Sequence, residues 1–261
     1  MENSVYDARV KEGDVKIRII DSHIHVGSNK KTKYYGEEEL WRDLNEAGAQ
    51  GAVIFAFPED MYRTVDSVES RIRANEYVLD VARKSPDLYP FYFVWSDYLI
   101  PKNLDQFLGI KWHRHHDEPR YDYDDPRCEE FPEKTRKLEI PVLLEEEFKE
   151  TKRFIVENPE INVIIPHMGA LNGGYERAKT FSDKDNIYFD TSTASIEIIR
   201  ECLKAVGPER IIFGSDVSGT PEPFYNFPRV EIEKIRKLHL KKDDLALIMS
   251  GNIERLISKK T

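Results

Sequence analysis

The chain has 261 residues, of which 40% are hydrophobic and 33% charged, and a net charge of −9. The apolar fraction suffices for one sizeable core, while the acidic balance excludes nucleic acid as a main partner, because a phosphate-binding face needs a basic patch. No apolar run approaches the roughly 20 residues of a membrane span, which sets a membrane partner aside as well.

In chain order, Ile19–Val26 predicts a short apolar strand that ends in His23 and His25 and opens into a loop at Gly27, Ser28 and Asn29. Residues i and i+2 of a strand face the same way, so these two imidazoles point to one spot. Such a pair is half of a site for zinc, manganese or iron, or else a solvated pair at a strand end. Glu37–Gly48 follows as a helix with Leu40, Leu44 and Ala47 on one face, then the strand Ala52–Ala56. A long helix is predicted from about Asp66 to Lys84, ended by Pro86, and Leu88–Trp95 is an aromatic-rich strand. Leu104–Leu108 reads as a short helix and Gly109–Trp112 as the fourth strand. His113–Asp125 is irregular and polar, holds three of the seven histidines, and is long for a loop.

The second half repeats the alternation. Arg127–Leu138 is helical, Pro141–Leu144 a strand, Glu146–Glu157 a helix with an acidic first turn, and Asn162–Ile165 the sixth strand, ending at Pro166-His167. Asn172–Phe181 is a helix, Ile187–Asp190 a strand, Ser195–Val206 a helix and Arg210–Phe213 the eighth strand. Helices at Arg229–Leu238, Asp243–Met249 and Asn252–Ile257 close the chain.

Eight short strands alternating with helices predict an α/β fold of the (β/α)₈ barrel type. A doubly wound open sheet also alternates, but the first strand is followed by no Gly-x-Gly-x-x-Gly turn. No linker, repeat or low-complexity segment divides residues 1–261, so one barrel domain is expected. The N-terminus lacks a basic stretch followed by an apolar run, so no signal peptide is expected. Cys128 and Cys202 are far apart, and Cys202 sits among Ile196, Ile199, Leu203 and Val206 at helical spacing, as a buried thiol would. These features predict a cytoplasmic protein. A homodimer is the default assembly.

Barrel enzymes carry their sites at the C-terminal ends of the strands. Those ends offer His23 and His25 on the first strand, Lys111 and His113 on the fourth, Glu145 on the fifth, His167 on the sixth and Asp216 on the eighth. Parity predicts convergence: Val163, Ile165 and His167 share one face, as do Leu143 with Glu145, and Ile212 and Gly214 with Asp216. A divalent metal held there would acidify a bound water, and a nearby carboxylate could move its proton.

Five segments carry a resemblance. Asp-Ser-His-Ile-His from residue 21, Gly-Ile-Lys-Trp-His from 109, Val-Ile-Ile-Pro-His-Met-Gly-Ala from 163, Ile-Ile-Phe-Gly-Ser-Asp from 211 and Gly-Asn-Ile-Glu-Arg-Leu from 251 resemble the amidohydrolase superfamily. The match is closest to its amidohydrolase-related branch of metal-dependent hydrolases and decarboxylases. The resemblance implies that His23 and His25 are metal ligands, Asp216 a ligand and general base, and His167 a ligand or catalytic acid–base. It implies a divalent metal, zinc first with manganese or iron as alternatives, and a small-molecule substrate. One position departs from the pattern: where the family usually places a fifth-strand His ligand, this chain has Glu145. Either Glu145 ligates the metal as a harder, charged group, or it belongs to the acidic start of the next helix with Glu146 and Glu147.

Lys111 could contact a substrate carboxylate, face solvent, or be carbamylated to bridge two metals as in some superfamily members. His113 is a candidate to line the substrate site, whereas His115 and His116 read as plain loop residues. Asp190 either orients a ligand histidine or caps a turn. The expected activity is hydrolysis of an amide, lactone or ester carbonyl by metal-activated water. Its alternatives are non-oxidative decarboxylation of an aromatic or enoic acid on the same site, and a barrel that binds a ligand without turnover.

Overall fold

In a computed structural model of the chain, which describes residues 17–29, 33–58, 68–114, 122–217, 219 and 225–258, the apolar runs become a single sheet of eight parallel strands in sequential order. They are β1 (Ile20–His25), β2 (Gly51–Phe55), β3 (Leu88–Phe93), β4 (Gly109–His113), β5 (Val142–Glu145), β6 (Val163–Ile165), β7 (Ile187–Asp190) and β8 (Ile211–Ile212). The sheet closes on itself. Ser22 N–H donates to Phe213 O at 3.0 Å, Asp216 N–H to His23 O at 2.9 Å and His25 N–H to Val217 O at 3.1 Å, joining the segment after β8 to β1. The expected (β/α)₈ barrel is the observed fold.

Closure explains the composition of the strands. Each is buried on both faces, so it reads as a continuous apolar run rather than an alternating one. Ile20, Val53, Phe55, Phe91, Leu143, Ile164, Tyr188 and Ile212 pack inside the barrel, and Ile253, Leu256 and Ile257 of the last helix join the same cluster. The larger layer of apolar side chains lies between the sheet and the surrounding helices.

The helices are α1 (Glu37–Ala47), α2 (Val68–Ala82), α3 (Pro126–Leu138), α4 (Phe148–Glu157), α5 (Tyr175–Ala178), α6 (Ile196–Val206), α7 (Phe227–Arg236), α8 (Lys242–Ala246) and α9 (Asn252–Ile257). Several begin where the sequence supplies an N-terminal acceptor. Asp125 accepts from Arg127 N–H at 2.8 Å and Asn226 from Arg229 N–H at 2.9 Å. No helix among the described residues is long and apolar enough to cross a membrane.

Four details differ from expectation. Gly27–Asn29 is not loop but pairs antiparallel with Lys33–Tyr35. The helix expected at Asn172–Phe181 begins only at Tyr175, because Gly173 and Gly174 sit at φ 92° and 94°. A π-helical turn over Leu247–Gly251 joins α8 to α9, so the last two expected helices run on as one body. On β6 Val163 and Ile165 share one face as expected, but it is the face toward the helices, while Ile164 faces the barrel interior and His167 lies in the turn beyond. Part of the long helix start near Asp66 and most of the His113–Asp125 loop, with His115 and His116, lie outside the described residues.

The Gly-Asn-Ile-Glu-Arg-Leu segment has a structural job. Asn252 is fully buried and its amide donates to Pro208 O and Ile211 O, both at 2.7 Å, pinning the last helix to the start of β8. Asn252→Ala leaves two buried carbonyls without that donor and is expected to cost about 1–3 kcal/mol. A lower urea midpoint at constant m would register it, and a midpoint equal to native would refute the assignment.

Candidate metal and catalytic site

The side chains expected to converge do so at the C-terminal mouth of the barrel. β1 delivers His23 and His25 by way of a register shift against β2 between Asp21 and Ile24. Ile20 points into the barrel and Ile24 toward the helices, so the irregularity is what lets both histidines face the centre. On β4 and β5 the alternation holds, and Lys111, His113 and Glu145 all reach inward. His167 arrives by a different route. It and Met168 adopt left-handed φ of 55° and 51° directly after β6, in a turn rather than on the strand. Gly169 closes that turn at φ 85°, and a Cβ there would stand 2.2 Å from Ala178 Cβ, so the Pro-His-Met-Gly sequence answers to a backbone requirement. Asp216 is also left-handed, at φ 58°. Non-glycine residues in this region cost of order 1–3 kcal/mol each and cluster at functional sites.

Two groups of donor atoms result, and they share His23. One is His23, His25 and Asp216; the other is His23, Glu145 and His167. In the first, Asp216 Oδ1 lies 3.4 Å from His23 Nε2 and 3.6 Å from His25 Nε2. A tetrahedral ion with bonds of about 2.0–2.1 Å sets its ligands about 3.3–3.4 Å apart, so this spacing fits zinc.

The hydrogen bonds on the far side of each ring fix its chemistry. His23 Nδ1 lies 2.8 Å from Asp190 Oδ2, and His25 Nδ1 lies 2.8 Å from Ala56 O. Carboxylates and carbonyls only accept, so both Nδ1 atoms carry the proton and both Nε2 lone pairs face Asp216. Burial, helped for both by the Lys111 ammonium, holds these two imidazoles neutral, with His25 lowered to about 4. Asp216, whose side chain is 26% exposed, lies below the usual carboxylate range despite its burial, because it faces a cluster of histidines that includes the cationic His167. Two lone pairs and a carboxylate oxygen aimed at one another could hold a cation.

The second group is built differently. Lys111, fully buried, donates from Nζ to Glu145 Oε2 at 2.6 Å and lies 3.3 Å from His23 Nε2. His113 Nε2 is 3.2 Å from Glu145 Oε1, and His167 Nε2 is 3.7 Å from Glu145 Oε2. Burial alone would raise Glu145, but His113, Lys111 and His167 hold it well below the usual carboxylate range. In return Glu145, with Asp216 and Asp190, outweighs burial at His167 and lifts it to about 9. His167 is therefore a cationic donor beside Glu145. The Phe55 ring faces His25 edge-on, and Phe57 stacks on it at 5.3 Å between centroids.

The sequence pointed to the seven converging side chains and left Asp190 between two roles; Asp190 does both, meeting His23 Nδ1 at 2.8 Å and capping the turn by accepting from Ser192 N–H at 2.6 Å. Sequence reasoning missed Ser192 and Ala56 O, which contact the rings from loops beyond the strands. Asp21 supports the site from below, accepting from His23 N–H at 3.1 Å and Ser215 N–H at 3.0 Å. The two cysteines are buried free thiols.

Comparison with known proteins agrees with this architecture. The profile of the family described as Amidohydrolase matches residues 20–258. No curated protein matches the chain. Among solved structures, it is similar to a probable 2-pyrone-4,6-dicarboxylic acid hydrolase from Acinetobacter baumannii, at 17% identity and TM-score 0.68, covering 92% of this chain and 99% of that one. It is similar to 2,6-dihydroxybenzoate decarboxylase from Rhizobium, at 14% identity and TM-score 0.69, covering 93% and 99%. It is also similar to 4-oxalomesaconate hydratase from Rhodopseudomonas palustris, at 18% identity and TM-score 0.63, covering 92% and 95%. Likeness at these identities concerns the fold, which in these three proteins carries three different reactions.

Proposed function

We propose that this chain, which belongs to the amidohydrolase family, is a mononuclear metal-dependent hydrolase acting in the cytoplasm on an amide, lactone or ester carbonyl of a small molecule. The observation that carries the reading is the convergence of the His23 and His25 lone pairs on Asp216 Oδ1. These three residues would hold the ion, zinc first and manganese or iron as alternatives. When bound, it would supply Lewis acidity and an acidified water. Glu145 and His167, also candidates for the metal from the sequence, belong here to the group paired with Lys111 on the other side of His23.

Asp216 is ionised and partly open, so it takes the proton of the attacking water and returns it to the leaving group. His167, cationic and fixed, donates toward the carbonyl oxygen where negative charge develops. His113 contacts the substrate, and Lys111 acts through Glu145, whose charge it balances.

A second reading, non-oxidative decarboxylation of an aromatic acid, draws support from the fold shared with the dihydroxybenzoate decarboxylase and from the phenyl rings beside His25. The test is a substrate panel on zinc-loaded protein, with Asp216→Asn as control. Hydrolysis of a lactone, ester or amide that Asp216→Asn abolishes is the expected result. Carbon dioxide release from an aromatic acid would move the assignment to the second reading. Turnover of neither class, with ligands still bound, would leave a non-catalytic barrel.

A further inference from the structure

Asp190 makes more contacts than orienting one histidine requires. One oxygen, Oδ2, accepts from His23 Nδ1 at 2.8 Å. The other, Oδ1, accepts from Ser192 N–H at 2.6 Å and from the Ser192 hydroxyl in a very short bond. That hydroxyl has one proton, and it is committed to Asp190. Its lone pairs therefore face His167 Nδ1, 2.9 Å away, with the Ser192 carbonyl at 3.2 Å as a further acceptor. Both neighbours can only accept, which makes Nδ1 of His167 a donor and turns Nε2 toward Glu145. A single buried carboxylate thus sets the tautomer of His23 directly and the orientation of His167 through one hydroxyl.

The opposite side of Asp190 is closed by Gly214. A Cβ at that position would lie 2.8 Å from Asp190 Oδ2, 3.0 Å from Oδ1 and 3.0 Å from Cγ, all of them side-chain atoms buried with no room to move. The glycine of the Phe-Gly-Ser-Asp segment is there because the carboxylate occupies the space a side chain would take. Asp190 is clamped between Gly214 and Ser192, and the clamp joins the end of β7, the segment after β8 and the loop that reaches His167.

The geometry points to Asp190, held by Ser192 and Gly214, as one shared positioning residue for both halves of the site, so that the metal ligand His23 and the donor His167 are aligned or lost together. This rests on the metal reading given above. Carboxylates behind ligand histidines typically change metal affinity by about 10- to 100-fold, and here the effect extends to residues that touch no ligand atom of the ion. Ser192 Oγ also lies 3.5 Å from His23 Nδ1, but its closer bond is to Asp190, so Ser192, like Gly214, acts on His23 chiefly through Asp190.

The experiment is a Co²⁺ titration of metal-stripped full-length protein, followed by the visible absorption of the bound ion, with melting temperature recorded for each variant. Asp190→Asn, which keeps the shape and removes the fixed acceptor, is expected to weaken Co²⁺ binding about 10- to 100-fold, with Gly214→Ala in the same range. Ser192→Ala is expected to weaken it by about threefold to tenfold, whereas Thr193→Ala, which removes a hydroxyl also 3.2 Å from His167 Nδ1 but not bonded to Asp190, costs less than about threefold. The deciding variant is the double one. If Ser192 works through Asp190, Asp190→Asn/Ser192→Ala binds Co²⁺ within about twofold of Asp190→Asn alone. Multiplied losses in the double variant, or a Thr193→Ala loss equal to that of Ser192→Ala, overturn the shared role while the metal site stands. Native-like affinity in Asp190→Asn does the same. A native chain that takes up no Co²⁺ overturns both this role and the metal reading.

Discussion

Stripped of metal and titrated with Zn²⁺, the native chain is expected to take up about one equivalent, and His23→Ala to take up none. His23 is the discriminating position because its Nε2 belongs to both groups of donor atoms, so no rearrangement of the remaining ligands replaces it. Asp216→Asn should keep a weakened ion but lose turnover by about 10²–10⁴-fold, the usual scale for a positioned proton-transfer group. Glu145→Gln should retain the ion, since Glu145 is engaged by Lys111 at 2.6 Å. Loss of zinc from Glu145→Gln together with retention in His25→Ala would move the ion to the other side of His23. Metal content by atomic emission on dialysed protein distinguishes these outcomes without a substrate.

The second large effect concerns Lys111. Breaking a buried ion pair by deleting one partner leaves an uncompensated charge and costs about 3–5 kcal/mol. Lys111→Met should therefore lower the melting temperature of the metal-free protein by about 10 °C. The double variant Lys111→Met/Glu145→Gln should recover most of the loss, because it removes the stranded carboxylate as well. Metal should protect Lys111→Met more than the native chain, because an ammonium 3.3 Å from His23 Nε2 repels a cation bound to that nitrogen. Saturating metal at 100 times its dissociation constant adds about 2.7 kcal/mol, which is resolvable by calorimetry. A metal-free Lys111→Met as stable as the native chain would show that Glu145 does not depend on this lysine for its charge.

The two effects pull in opposite directions at one atom. Lys111 stabilises the metal-free barrel by neutralising Glu145, and the same ammonium opposes the ion at His23. Asp190, Glu145 and Asp216 are all ionised within one barrel mouth, and Lys111 and His167 are the cations facing them.

The barrel is legible in the chain alone, because a strand buried on both faces must be an uninterrupted apolar run, and eight such runs alternate with helices in order. So are the meeting of His23 with His25 and the inward end of β5 at Glu145, whereas Asp216 lies beyond β8 in left-handed backbone. What the sequence could not contain was anything set by contacts between strands distant in the chain. Ile20 and His25 both face inward although they stand an odd number of positions apart, which depends on a register shift against β2 that parity along β1 alone does not reveal. His167 reaches the site through left-handed backbone after β6, so the alternation that correctly aimed Glu145 misassigned Val163 and Ile165. That Lys111 is buried rather than facing solvent follows from the pairing of β4 with β5, which sets Lys111 beside Leu143 and His113 beside Glu145. Asp190 and Ser192 meet in a local turn, but their contacts with His23, His167 and Gly214 join β1, the turn after β6 and the segment after β8, which only the closed barrel brings together. Local pattern is a property of neighbours in the chain; tautomer, charge balance and ligand spacing are properties of neighbours in space.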